Sequence, residues 1–398
     1  MVTLIKNIQE LVQVRDESVK FLCGKEMGFL PTIKNAYILM RGGLIERFGE
    51  MKDLPEFYPD RVIDATGKLV LPAWCDSHTH IVYAGNREDE FVDRIRGLSY
   101  EQIAQKGGGI LNSAKKLQNT TEEELFDQAA ERIKEIMQQG TGAVEIKSGY
   151  GLTADSEIKM LRVIKKISQH FPITVKATFL GAHAFPANYK NDPQAYIDLI
   201  CTTMLPAIAE EKLATYIDVF CETGYFSVDQ TDQILREGKK YGLVPKIHVN
   251  QFNSIGGVAV AIKNRALSVD HLEVMTDEDI IVLKNTEVMP VALPACSFFL
   301  GIPYTPARKM IDAGLALALA TDFNPGSSPT GNMNFVLASA CIKMDMRPEE
   351  AINAATVNAA YAMGLSDTHG SITAGKKAHL ILTKKNSFLC LSALFFRQ

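Results

Sequence analysis

The chain has 398 residues, 46% hydrophobic and 22% charged, so it is long enough to bury a large core and has the composition of a globular protein. A formal net charge of −4 without a long basic run argues against nucleic acid as a partner. No apolar stretch approaches the ~20 residues of a membrane span, and the first residues lack the apolar core of a signal peptide, so we expect neither a membrane partner nor export.

The cysteines predict a reduced, cytoplasmic protein. Seven are present, an odd number, and none are spaced as CxxC. This scatter fits neither a disulfide framework nor a structural zinc knuckle. We interpret the cysteines as packing residues.

Residues 1–66 predict short strands and turns. Apolar runs such as AYILM and GLIERFG are separated by Gly and Asp turns. Near the other end, GSITAGKKAHLILT predicts a turn followed by a strand. The simplest packing joins residues 1–66 and 366–398 into one small β-sandwich domain built from both chain termini.

Residues 67–365 predict the larger domain. From about Leu69, short β-branched runs alternate with amphipathic helical stretches, which is typical of repeated βα units around a parallel sheet. Eight runs end near His80, Gly149, His183, Glu222, Phe252, Glu273, Cys296 and Asn324. Eight such units predict an α/β fold, a closed (β/α)8 barrel similar to the TIM barrel.

Metal-competent side chains collect at the predicted strand ends. In LPAWCDSHTH, His78 and His80 are two residues apart and so point to the same side of a strand. Alone, this pair fits a polar loop as well as a metal site. However, six such residues end runs of the predicted barrel: His78, His80, His183, His248, His271 and Asp322. Because the C-terminal strand ends of a barrel carry its catalytic groups, we predict a metal site there.

The residue types indicate the chemistry of this site. Imidazole and carboxylate ligands without a thiolate favour zinc or iron. A bound ion lowers the pKa of water toward neutrality and so makes hydroxide available as a nucleophile, which implies hydrolysis. His271 is then better used as a non-ligand that holds the water or polarises a carbonyl. Asp322 can both contact the metal and carry a proton to a leaving nitrogen.

Several motifs resemble a known family. The HxH pair, the histidines on the fifth and sixth predicted strands and TDFNPG on the eighth resemble the amidohydrolase superfamily. More narrowly, the chain resembles the imidazolonepropionase family of histidine degradation in HTHIVYAGNREDEF, YEQIAQKGGGI, EIKSGYGL, FLGAHAFP, DVFCETGYFS and TDFNPGSSPT. The match runs from about Thr3 to Ala378.

The resemblance implies an activity and residue roles. The activity is hydrolysis of the cyclic amide of 4-imidazolone-5-propanoate to N-formimino-L-glutamate, with one Zn²⁺ or Fe³⁺ per subunit of a homodimer. The implied metal ligands are His78, His80, His248 and Asp322. The implied substrate contacts are Arg87, Tyr150, His183, Gln251, Asn324, Gly326 and Ser327. The catalytic residues are expected to be His271, Asp322 and Gln251.

Several of these positions have a simpler interpretation. Arg87 offers a planar fork suited to a propionate, but without the resemblance it would be a solvated arginine beside acidic residues. Tyr150 could be a packed loop aromatic, and glycines 107–109 could form either a lid hinge or a turn. Lys147 and Lys176 lie where some relatives place a carbamylated lysine, but with four ligands already found we interpret both as structural.

The chain departs from the family in two places. Some members have glutamate where this chain has Gln251, so a hydrogen-bonding role is a safer prediction there than acid-base catalysis. After His379 the chain ends in the atypical, apolar KKNSFLCLSALFFRQ. Because the tail follows the barrel, we expect it to affect stability more than chemistry.

Two alternative functions are left open. Another deaminase or cyclic amidase of the superfamily would share every metal ligand and differ only in its substrate loops. A non-catalytic, metal-binding barrel that binds a partner protein is the second alternative. Such a protein would have no physical need to keep His271 and Asp322 together.

Overall fold

The computed structural model describes residues 1–56, 58–98, 102 and 108–383. Part of the proposed glycine hinge, at residue 107, and the tail beyond residue 383 lie outside this range. The first five strands are β1 (Val2–Val12), β2 (Thr32–Arg41), β3 (Leu44–Glu50), β4 (Arg61–Asp64) and β5 (Leu69–Pro72).

Eight parallel strands form the predicted barrel. They are β6 (Trp74–Thr79), β7 (Thr141–Lys147), β8 (Thr174–Ala182), β9 (Tyr216–Cys221), β10 (Val244–Val249), β11 (Ser268–His271), β12 (Met289–Ala292) and β13 (Ala318–Leu319). Each pairs with the next in chain order. All eight runs that the sequence indicated are therefore strands, and the (β/α)8 prediction is confirmed.

Backbone hydrogen bonds close the barrel between its first and last strands. The N–H of His80 donates to the carbonyl of Phe323 at 2.9 Å, and the N–H of Asp322 donates to the carbonyl of His78 at 2.9 Å. Thr79 and Phe323 form a parallel bridge at the same place. The closure therefore brings the HxH pair and the aspartate of the eighth strand together.

Helices surround the barrel and connect its strands. The described α-helices are α1 (Glu88–Ile95), α2 (Ile110–Gln118), α3 (Glu122–Gln138), α4 (Ala154–His170), α5 (Pro193–Leu199), α6 (Leu205–Glu211), α7 (Val228–Lys240), α8 (Gly257–Asn264), α9 (Asp277–Leu283), α10 (Pro294–Leu300), α11 (Ala307–Asp312), α12 (Met333–Lys343), α13 (Pro348–Asn353) and α14 (Ala359–Ala362). Short π-helical segments, Ile200–Met204 and Ala354–Asn358, join α5 to α6 and α13 to α14. The π segment before α6 has a local cause, since Pro206 lacks the N–H that an α-helix requires.

Helix α3 shows how the sequence specifies these elements. Thr121 accepts a hydrogen bond from the N–H of Glu124, whose side chain binds back to the N–H of Thr121, so a capping box begins the helix. Leu125, Ala129 and Ile133 are fully or nearly fully buried. Their spacing of four residues forms the apolar stripe that packs the helix onto the barrel.

The two chain termini share a second sheet of six strands. Its last strand, β14 (Leu380–Leu382), pairs antiparallel with β5, which in turn pairs parallel with β1. The order is β14-β5-β1-β2-β3, with β4 also paired to β1. This sheet fits the predicted small domain. It includes β5, although the predicted boundary at residue 67 places that strand with the barrel, and the domain boundaries themselves stay a proposal.

None of the described helices has the length and apolar character that a membrane span requires.

Candidate metal and active site

The HxH pair and Asp322 converge where the barrel closes. The Nε2 atoms of His78 and His80 are 3.3 Å apart. Each lies 3.5 Å from Oδ1 of Asp322. An ion with bonds of about 2 Å to nitrogen and oxygen ligands fits among atoms at these separations. The three residues are almost completely buried.

His248 adds a further donor. Ring nitrogens of His78, His248 and His271 lie within 4.8 Å of one another. The Nε2 atom of His248 is buried and has no hydrogen-bond partner. Because a buried polar atom without a partner is costly, this nitrogen fits the role of a metal ligand. The residues present therefore suit the ion that the sequence predicted.

The candidate ligands are in the form that binds metal. Burial, followed by the charge of Lys147, lowers the pKa of His78 well below its usual value. Burial lowers the pKa of His80 well below its usual value too, and the electrostatic effect of the neighbouring His183 acts in the same direction. Both imidazoles are therefore neutral near pH 7, and neutral imidazole is the metal-binding form.

Two aspartates lie beside the rings of His78 and His248. Nδ1 of His78 is 2.7 Å from Oδ2 of Asp270, and Nδ1 of His248 is 3.0 Å from Oδ2 of Asp218. An ionised carboxylate can only accept a hydrogen bond, so Nδ1 of His78 carries the proton. This tautomer leaves Nε2 of His78 available to bind an ion, as is usual for histidine ligands.

A buried ion-pair network supports these aspartates. Nζ of Lys147 lies 2.6 Å from Glu145, 2.8 Å from Asp218 and 3.5 Å from Asp270. Burial would lower the pKa of Lys147, but these carboxylates outweigh it and raise the pKa. A charged ammonium balances the acidic cluster, whereas a carbamylated lysine would add a repelling negative charge. The contacts support a structural role for Lys147.

His271, the last residue of β11, contacts the carboxylate of Glu273, two residues further along the chain. Its Nδ1 lies 3.3 Å from Oε1 of Glu273. Burial would lower the pKa of His271, but the charge and hydrogen bond of Glu273 and the charge of Asp322 raise it. The backbone of His271 has a φ of 89° and that of Asp322 a φ of 55°. Both values lie in the left-handed region, which non-glycine residues adopt only when the surrounding structure holds them there.

A cavity of about 50 Å³ opens above these groups. Its lining includes all seven residues that were predicted to contact substrate and five of the six metal-competent residues, all but His78. The predicted substrate contacts that line it are Arg87, Tyr150, His183, Gln251, Asn324, Gly326 and Ser327. The structure thus places the predicted substrate contacts and five of the six metal-competent residues around one cavity.

Arg87 is held inside this cavity. Its residue exposure is 9%, which differs from the solvated arginine of the simpler interpretation. Nε and Nη2 donate to Oε2 of Glu90 at 2.7 and 2.5 Å. Glu90 also accepts hydrogen bonds from the N–H of Gly109 and from Nδ2 of Asn112, each at 3.1 Å. Glu90 therefore links Arg87 to the end of the glycine-rich stretch.

The backbone of Gly326 packs against the Arg87 guanidinium. A Cβ added at Gly326 would lie 1.9 Å from Nη1 of Arg87. Neighbouring Asn324 folds the turn, since its Oδ1 accepts hydrogen bonds from the N–H groups of Gly326 and Ser327 at 2.8 Å. Only glycine leaves room for the arginine here.

Tyr150 and His183 form one wall. His183 has its Nδ1 2.9 Å from the carbonyl of Gly149 and its ring stacked on His80 with centroids 5.3 Å apart. Burial lowers the pKa of His183 to about 3, so this ring is neutral. Glu157 holds the loop around Tyr150 by accepting hydrogen bonds from three N–H groups, those of residues 149, 151 and 152, at 2.7 to 3.0 Å.

Comparison with known proteins identifies the family. A model described as "Amidohydrolase family" matches residues 69–397. Imidazolonepropionase of Flavobacterium johnsoniae is 68% identical over 384 residues, which cover 96% of this chain and 93% of that protein. The chain belongs to the imidazolonepropionase family of amidohydrolases. A more distant relative of this name, from Shouchella clausii, is 41% identical, and the match covers 95% of this chain and 86% of that protein.

Solved structures show the same fold at low identity. Guanine deaminase of E. coli has a TM-score of 0.74 at 16% identity, and the match covers 96% of this chain and 89% of that one. A triazine hydrolase variant also has a TM-score of 0.74 at 16% identity, covering 96% and 86%. At this identity the similarity shows the fold alone, and the family is shown by the imidazolonepropionases.

Sequence analysis did not identify the five carboxylates that position side chains or loops of the site. They are Glu90, Glu157, Asp218, Asp270 and Glu273. A carboxylate inside an otherwise apolar strand is unusual, so Asp218 in IDVFCE and Asp270 in SVDHLE carried a usable signal. Glu90 and Glu157 lie in first turns of helices, where acidic residues are ordinary. Nothing local marked those two.

Proposed function

We propose that the protein hydrolyses the cyclic amide of 4-imidazolone-5-propanoate to N-formimino-L-glutamate, the third step of histidine degradation. The observation that carries this proposal is the 68% identity to an imidazolonepropionase over 96% of the chain. It is supported by a single cavity lined both by candidate metal ligands and by a buried arginine. The protein is thus a hydrolase of carbon–nitrogen bonds in cyclic amides.

We assign His78, His80, His248 and Asp322 as the residues that would hold one Zn²⁺ or Fe³⁺ per subunit. Support comes from the 3.3 and 3.5 Å separations of three of these side chains and from the unpartnered Nε2 of His248. When bound, the ion supplies Lewis-acid polarisation and an activated water. The donor set suits both metals.

Arg87 is proposed to bind the propionate of the substrate. Its guanidinium is planar and matches a carboxylate with two parallel hydrogen bonds. Glu90 fixes the orientation of this group from the side, while Gly326 leaves the space beside Nη1 that no other residue would leave. The charged arm then sets the position of the ring over the metal ligands.

His271 and Asp322 are proposed to handle protons and developing charge. Because Nδ1 of His271 faces Glu273 at 3.3 Å, its other nitrogen is oriented to stabilise the oxyanion that forms at the ring carbonyl. Asp322, whose pKa burial raises, takes a proton from the attacking water and delivers it to the leaving ring nitrogen. The carbon–nitrogen bond of the lactam then breaks.

Gln251, Tyr150, His183, Asn324 and Ser327 are proposed to orient the substrate. An amide such as Gln251 donates and accepts hydrogen bonds but does not exchange protons near neutral pH. We therefore assign it an orienting role, although some relatives have glutamate at this position. The neutral His183 ring can present Nε2 to the substrate as a hydrogen-bond acceptor, because its Nδ1 faces the Gly149 carbonyl.

We further propose a homodimer in the cytoplasm with a small molecule as its substrate. The homodimer rests on the family resemblance. The compartment is supported by free cysteines throughout the described residues. No nucleic-acid or membrane partner is proposed, in line with the acidic net charge.

One experiment separates this function from its rivals. Purified protein is analysed for metal and assayed on 4-imidazolone-5-propanoate beside a panel of nucleobases and hydantoins. We expect one ion per chain and turnover of the imidazolone alone. Preferred turnover of a nucleobase or hydantoin would instead support another deaminase or cyclic amidase, and metal without any turnover would support a binding protein.

A further inference from the structure

A second group of possible metal ligands adjoins the proposed site. One donor atom each from His271, Glu273 and Cys296 lies within 4.8 Å of the other two. The exposures of these residues are 3%, 5% and 0%. The first two residues lie at the end of β11 and just after it, and Cys296 lies in the first turn of α10. Such a combination of imidazole, carboxylate and thiol is chemically different from the thiol-free set above.

Two unusual contacts mark this group. Oε2 of Glu273 is buried and has no hydrogen-bond partner, although Oε1 contacts His271 at 3.3 Å and Ser297 at 3.4 Å. The sulfur of Cys296 accepts a weak hydrogen bond from Nε2 of Gln251 at 3.5 Å. One oxygen of the carboxylate therefore lacks a partner. Burial and the charges of Asp322 and Glu273 raise the pKa of the Cys296 thiol, so the sulfur becomes a thiolate only when a cation replaces its proton.

We propose that His271, Glu273 and Cys296 form a second metal site, which takes a thiophilic divalent cation such as Zn²⁺ or Cd²⁺ and inhibits the enzyme when filled. Binding forms bonds from the ion to the Cys296 sulfur, a Glu273 oxygen and a His271 nitrogen. The thiol proton, and the His271 proton if it occupies the ligating nitrogen, leave to solvent. Nothing is oxidised or reduced.

Electrostatics favours a divalent ion at this position. A thiolate and a carboxylate together carry two negative charges, which one divalent cation neutralises inside a buried site. The amide of Gln251 adds no charge, whereas a glutamate there would repel the thiolate. A thiolate ligand also selects zinc or cadmium over magnesium and calcium.

Inhibition follows from the use of His271. An ion bonded to both His271 and Glu273 would replace the contact between them, so the ring would no longer be oriented to stabilise the oxyanion. The inhibitory part of the inference rests on the proposed function. The binding part does not, because it depends only on the three side chains.

The test is a cadmium titration of protein that already holds one equivalent of metal. Equilibrium dialysis counts bound ions, and ultraviolet absorption reports sulfur-to-cadmium charge transfer. We expect wild type to bind two ions and to show the charge-transfer band. Cys296→Ala should bind one ion and show no band. Cys221→Ala is the matched control, because Cys221 is also fully buried but belongs to none of the ligand groups among the described residues.

Glu273→Gln provides a variant that conserves side-chain volume, in case Cys296→Ala fails to fold. It should also bind one ion, since an amide is a poor ligand. Wild type that binds only one ion, or a second ion that persists in both variants, overturns the site. The same titration followed by turnover of 4-imidazolone-5-propanoate should show that the second ion abolishes activity in wild type and in Cys221→Ala. Undiminished activity with two ions bound overturns the inhibitory role, and absence of turnover before the titration contradicts only the proposed function.

Discussion

At the scale of single residues, carboxylates position several of the functional side chains. Asp270 and Asp218 face the Nδ1 atoms of His78 and His248. Glu90 forms a salt bridge with Arg87, and Glu157 accepts hydrogen bonds from the loop that carries Tyr150. An acidic side chain can hold several N–H donors at once, which fixes a rotamer or a loop more firmly than one neutral hydrogen bond does.

The role of Arg87 can be tested with two substrates. Replacement by methionine should cost roughly 2 to 5 kcal/mol of transition-state stabilisation, because the propionate would lose its partner in a buried site. An imidazolone analogue without the carboxylate should be hydrolysed equally slowly by wild type and variant. The measurement is kcat/KM for the four combinations, which form a double-mutant cycle.

Arg96→Met is the control for this cycle, because Arg96 is an exposed arginine next to α1. It should behave as wild type on both substrates. A coupling energy near zero for Arg87 would remove the propionate assignment.

His248 and His271 should respond to substitution in opposite ways. His248→Ala should lose the metal but keep the fold, since a ligand at a strand end supports the site rather than the core. His271→Ala should keep one ion and lose on the order of a hundredfold or more in turnover, as expected for a missing oxyanion or acid-base group. Metal analysis, circular dichroism and kcat measure these effects. Full occupancy in His248→Ala, or metal loss in His271→Ala, contradicts the respective role.

At the scale of elements, the strands of the barrel were predictable because their signal is local. Runs of β-branched residues between amphipathic helices gave all eight strands, and their ends gave the HxH pair, His248, His271 and Asp322. The pairing of β5 with β1 and β14 was not predictable, because an apolar run such as LVLP fits either sheet. Likewise, the contact of Lys147 with Asp218 joins residues 71 positions apart, which periodicity does not encode.

The terminal sheet should contribute stability rather than chemistry. Ile381 in β14 lies opposite Leu71 and packs beside Gly140 on the outside of the barrel. Ile381→Ala removes part of a half-buried side chain and should lower the free energy of unfolding by roughly 1 to 2 kcal/mol. Chemical denaturation gives this value. The kcat/KM should stay at the wild-type level, and a large loss of activity would show that the sheet shapes the site.

The turn after β13 should be intolerant of a single methyl group. Gly326→Ala places a Cβ where Nη1 of Arg87 lies, so the guanidinium must move. We expect a raised KM for the carboxylate-bearing substrate with metal content unchanged. An unchanged KM would mean that the position of Arg87 is not critical.

At the scale of the whole molecule, barrel closure, metal binding and stability are coupled. The ligands come from the first, fifth and eighth strands, so an ion would tie distant parts of the chain together. An ion present at a hundred times its dissociation constant stabilises the native state by about 2.7 kcal/mol. Removal by a chelator should therefore lower the melting temperature of wild type. His248→Ala should show no such change, and an equal shift in both proteins would place the stabilising ion elsewhere.

The most direct test of the proposed function is product formation from 4-imidazolone-5-propanoate by protein reconstituted with one equivalent of metal. We expect N-formimino-L-glutamate to form, formation to stop when the metal is removed, and activity to return when the metal is restored. Full metal occupancy without formation of this product would contradict the proposed function.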